Sequence, residues 1–198
     1  MTEPGDAKDA DEVAHALSSA EGMPTTGLAL PETRFSRAVD GVLSTIGKAA
    51  SWLWVVLLVV IVFNVMLRYV FGEGRIEFEE LQWHINALAF MLAIAYAYRV
   101  DAHIRIDLVS TKLRPRLQVW IEFYGTLLLL LPFIAVVVWF GWPFVAHSFA
   151  VSEISPSPGG LPFRWLLKAV LPIAFVLLLI AVVSRLSRMW AFLTGKTE

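Results

Sequence analysis

The chain contains no cysteine. That excludes disulfide staples, thiol redox relays, iron–sulfur clusters and thiolate metal sites, so any redox chemistry would rest on histidine-held haem. Net charge is nearly lacking as well, at −1 over 198 residues. With no global field there is no electrostatic pull on nucleic acid or on acidic substrates. Residues 1–30 lack the apolar central region of a signal peptide and instead carry Glu3, Asp6, Asp9, Asp11, Glu12 and Glu21. Residues 1–31 therefore read as a disordered acidic tail.

Charge is also missing from the middle of four long apolar stretches, which make up most of the remaining chain. With 58% hydrophobic residues and a mean hydropathy of +0.68, the sequence holds more apolar surface than a soluble core of this size hides. A hydrocarbon core near 30 Å needs about 20 apolar residues at about 1.5 Å rise each. The expected fold is an all-α membrane protein in which one domain, 32–195, spans the bilayer four times, at about 49–71, 79–99, 117–148 and 164–190. Residues 123–151 hold no acid or strong base, about 43 Å of straight helix. Kinks at Pro132 and Pro143, or a tilt, absorb the excess.

Before the first span, Phe35, Val39, Val42, Leu43 and Ile46 recur at helical spacing, with Arg34, Arg37, Asp40 and Lys48 on other faces. This predicts an N-terminal amphipathic helix in the membrane surface. The alternative is a plain extension of the first span, and a bend near Gly47 distinguishes the two. Between spans two and three, His103–Leu108 alternates polar and apolar residues, Asp107 is an N-cap candidate and Pro115 suits a first helical turn. A short connector helix is expected there. The segment SEISPSPGGLP packs prolines and glycines into a rigid cap.

Lys and Arg are distributed unevenly around the spans. Arg34, Arg37, Lys48, Arg99, Arg105, Lys112, Arg114, Arg116, Arg185, Arg188 and Lys196 fall on one side, and only Arg68, Arg75, Arg164 and Lys168 on the other. The positive-inside rule then puts both termini and the 99–117 loop in the cytoplasm.

Ionisable groups within a bilayer mark ion or substrate paths. Here Asn64, Arg68, Gln82, His84 and His147 lie toward the outer span ends and Glu122 toward the inner. A self-contained pump, or an exporter with an embedded carboxylate, does not fit. Gly41 to Lys48 mimics a phosphate-binding loop, but it has one residue too many between its glycines and follows no strand. His84 and His147, at similar depth, leave open a second class: a haem-binding membrane anchor of a respiratory oxidoreductase.

The run FNVMLRYVFG, then EFEELQW, then ALAFMLAIAYAYRVDAHIRIDLV, resembles the small membrane (DctQ-like) subunit of tripartite ATP-independent periplasmic (TRAP) transporters. SEISPSPGGLPFRWLLKAVLPIAFVLLLI resembles in particular the subgroup for mannitol, chloroaromatic or related organic acid uptake. The resemblance implies a bacterial inner-membrane protein, not an enzyme and without cofactor. Its partners would be membrane lipids, a large permease subunit that carries solute and coupling cation, and a periplasmic solute-binding protein. It supplies no catalytic residues and implies a bracing role.

On physical grounds, Arg68 is expected to pair with Glu79 or Glu80 from span two. Trp52, Trp54, Trp83, Trp120 and Trp139, with Gly125 and Gly141 for close approach, are the candidate permease interface. Glu77, Glu153, Arg164 and Lys168, with Glu79 beside them, are the candidate receptor-docking surface. His103 and Asp107 are expected to set the connector's conformation.

Overall fold

The structure is a computed structural model that describes residues 30–102 and 113–195. The acidic tail and the connector residues His103 and Asp107 lie outside these. The described elements are α1 (Arg34–Val70), α2 (Ile76–Arg99), α3 (Pro115–Gly125), a π-helical turn (Thr126–Leu130), α4 (Leu131–Ala150) and α5 (Arg164–Thr194).

α1 opens on a reciprocal cap, in which the Ser36 amide donates to Thr33 Oγ1 and the Thr33 amide donates to Ser36 Oγ, both at 3.1 Å. It then runs unbroken for 37 residues, about 55 Å. The amphipathic segment is thus not a separate surface helix. Its buried positions, Ser36, Val39, Leu43, Gly47 and Ala50, continue the stripe that later buries Leu57 and Asn64. One face therefore packs against the same neighbours over the whole length. Gly47 does not bend the helix: a Cβ there would collide with the Tyr96 ring of α2, so the glycine permits close helix approach.

Among the described residues three helices, not four, are long and apolar enough to cross a membrane: Arg34–Val70, Pro115–Ala150 and Arg164–Thr194. α2 has 24 residues, about 36 Å and long enough, but Gln82, His84, Asn86, Tyr96 and Tyr98 dilute its apolar content. It packs against both α1 and α5, with Ala89 and Ala95 fully buried. The two neighbours cover part of its surface, while the Gln82 side-chain amide is buried without an acceptor among the described residues. Asp101, in the left-handed region at φ 56°, ends the helix, a conformation Asp tolerates better than most residues.

α3, the π turn and α4 form one 36-residue rod. The widened turn precedes Pro132, which has no N–H for the Leu128 carbonyl, and the Leu131 amide reaches back five residues to the Thr126 carbonyl. α5 is the hub, touching α1, α2, α3 and α4. Its Pro172 fills the space over Gly141 of α4, where a Cβ would lie 3.3 Å away.

The buried apolar residues gather in the half of the bundle that carries the described chain ends. Val39, Leu43, Ala95 and Ala181 form one cluster; Ile134, Leu178 and Val182 form the other. The outward faces of α1 and α4 remain bare, with Leu58, Val59, Phe133 and Phe140 among the exposed residues.

Candidate functional site

Among the described residues, no Asp, Glu, Lys or Arg occurs between Lys48 and Arg68, Glu80 and Arg99, Glu122 and Ala150, or Lys168 and Arg185. The charges lie at the two ends of the bundle, and at each end they tie helices together.

At the end carrying the described chain termini, Arg185 of α5 donates through Nε to Glu122 of α3 at 2.6 Å. It also lies 3.2 Å from Asp101, just past α2, and its guanidinium sits over the Tyr98 ring, 5.6 Å from the centroid. One turn on, Arg188 pairs with Asp40 of α1, which also holds Arg99 of α2 at 3.2 Å. Arg185 and Arg188 share a face because they stand three residues apart on one helix. The side chains of Arg185 and Asp101 are 13% and 10% exposed, so these pairs are shielded far better than surface ones. This cluster was missed in the sequence because only basic residues were weighed there. The available signal was the acids Asp40, Asp101 and Glu122 on the otherwise basic side.

At the opposite end Arg68 pairs with Glu79, both side chains about half exposed. Glu80 turns away and accepts from Ser155 Oγ and, at 2.6 Å, from the Leu161 amide. It thereby pins the proline-rich loop between α4 and α5 onto α2. The loop reverses through Ser152, Gly159 and Phe163 at positive φ, and the Arg164 amide donates to the Glu153 carbonyl at 3.3 Å, closing its two feet. Gly160 lies where a Cβ would meet Ser155 and Glu80. Glu153 pairs with Lys168 and stands 3.7 Å from Arg164. The Lys168 hydrogen bond, first among the causes, holds its carboxyl below the ordinary carboxylate range. Lys168 also caps the Phe144 ring at 4.1 Å.

Three of the four docking candidates, Glu153, Arg164 and Lys168, are therefore engaged with one another, two cations on one carboxylate, and Glu77 stays outside these contacts, exposed. Of the interface candidates, Trp52, Trp83 and Trp139 are 71%, 74% and 76% exposed. Trp54 is also exposed, and Trp120 stacks on Tyr124. Gly125 has open space around it, whereas the approach to Gly141 is already taken by Pro172. The haem alternative gains no support: His84 Nδ1 lies 2.6 Å from the Glu80 carbonyl, and His147 sits exposed in the last turn of α4.

A bundle tied by ion pairs at both ends and free of charge at mid-depth offers no ionisable path of its own. Comparison with curated proteins finds no match. The family model described as tripartite ATP-independent periplasmic transporters, DctQ component, matches residues 57–192, which span α1 from its middle to nearly the end of α5. The chain belongs to this DctQ family, the small membrane component of TRAP transporters and not an enzyme family.

Proposed function

We propose that the chain braces the large permease subunit for cation-coupled uptake of a small organic acid or related solute, delivered by a periplasmic binding protein. The carrying observation is that the charged side chains of the described helices lie toward the two ends of the bundle, where Arg68, Arg99, Arg185 and Arg188 join helix to helix, while mid-depth is apolar. Such a body suits a static scaffold. α2 completes the membrane domain as a fourth crossing, sheltered by α1 and α5.

The bare faces of α1 and α4, with their exposed tryptophans, supply the apolar area for the permease and for lipid. Glu77 and the rim of the pinned loop are the surface left for the soluble receptor. The excess of Lys and Arg at one end favours cytoplasmic termini in a bacterial inner membrane. The segment 152–180 favours the mannitol and chloroaromatic subgroup as the source of the solute class.

The test is reconstitution of the large permease into vesicles with and without this chain, together with the binding protein and a panel of radiolabelled organic acids under an imposed sodium gradient. Uptake that needs this chain supports the reading. Equal uptake without it overturns the bracing role.

A further inference from the structure

Beside Asp40 the charge cluster lines a half-open recess of about 40 Å³, edged by Leu30, Asp40, Arg99, Ser184, Arg185 and Arg188 among others. That volume admits a single small ion or one or two waters. The charges around it cancel as a set but not locally. Arg185 is answered by both Glu122 and Asp101, and neither of these lines the recess. On the recess side Arg99 and Arg188 share one carboxylate, Asp40. The Nε–H of Arg188 is moreover buried and has no acceptor.

Three guanidiniums and one carboxylate edge this recess, and with Arg185 answered from outside it, Arg99 and Arg188 are left, among the described residues, with a single carboxylate and a buried N–H without an acceptor. A water would satisfy the N–H but leave the excess charge unanswered. We propose that this recess binds a small monovalent anion of halide size, chloride, held by Arg188 Nε–H and the Arg99 guanidinium. The anion completes the junction among α1, α2 and α5 and makes its rigidity depend on halide. This inference does not rest on the transport reading.

The test is thermal unfolding of the full-length chain in detergent, followed by tryptophan fluorescence. Chloride is exchanged for gluconate at constant ionic strength, and bromide serves as a second halide. The expected result is a saturable rise in Tm of several degrees with either halide. The rise persists in Arg75→Gln at the far end of the bundle and is lost in Arg188→Lys, which keeps the charge and removes Nε–H. Equal Tm in chloride and gluconate, or the same halide shift in Arg188→Lys, overturns the site. Should Arg188→Lys not fold, the chloride-35 NMR linewidth of the unsubstituted protein decides. Excess broadening removed by bromide supports the proposal, and its absence overturns it.

Discussion

Arg185 donates to Glu122 at 2.6 Å while the same guanidinium holds Asp101 at 3.2 Å, so one side chain of α5 anchors both the start of the α3–α4 rod and the end of α2. Breaking a well-shielded pair by removing one partner leaves the other charge unanswered, at about 3–5 kcal/mol. Arg185→Gln is therefore expected to lower stability by about 3 kcal/mol. Glu122→Gln should cost less, because Asp101 remains. Thermal melts of the two variants in detergent check the order.

Glu80 and Arg68 should separate sharply despite lying one helical turn of contacts apart. The Arg68–Glu79 pair is half exposed and should contribute under about 1 kcal/mol. Arg68→Ala is expected to leave the melting temperature nearly unchanged. Glu80→Ala strands the Ser155 hydroxyl and the Leu161 amide and is expected to cost about 1–3 kcal/mol. Limited proteolysis should show new cleavage between residues 152 and 163 in Glu80→Ala and not in Arg68→Ala.

Gly47 is required by the Tyr96 ring. Gly47→Ala forces the ring or the helices apart, and overpacking of this kind costs about 1–3 kcal/mol. Paired with Tyr96→Ala, which opens the space, the substitution should cost much less than on its own. Additive losses in the double-mutant cycle would show that the contact does not set the spacing of α1 and α2.

The Glu153 carboxyl is held below its ordinary range chiefly by its hydrogen bond from Lys168. A depressed folded-state pKa contributes stability that is fully present above the unfolded carboxylate value and is lost as pH falls through the folded one. Stability should therefore fall on acidification below about pH 4.5, and Glu153→Gln should flatten that part of the curve. Melts between pH 7 and pH 3 measure it.

Much of this was legible in the sequence. Long charge-free runs mark α1, α4 and α5. The approach of Arg68 to an acid of span two follows from their shared depth. Two features were not legible, for physical reasons. Whether residues 34–48 lie on the membrane surface or continue upright depends on what their apolar stripe meets, and that is Tyr96, nearly fifty residues away in sequence. The Asp40, Asp101 and Glu122 cluster depends on long-range pairing, which hydropathy and counts of basic residues do not register. The polar residues of α2 are the reverse case: by composition they weaken a span, and the cover that α1 and α5 give the helix is long-range packing that composition does not register.

The central claim, that this chain is a brace for a larger permease, is tested most directly by affinity purification of the full-length protein from its native membrane in mild detergent. Mass spectrometry and an absorbance scan of the same sample give the readout. The account predicts a large permease subunit at near-equal stoichiometry and no Soret band. A chain that purifies without such a partner, or with redox subunits and haem absorbance, would contradict it.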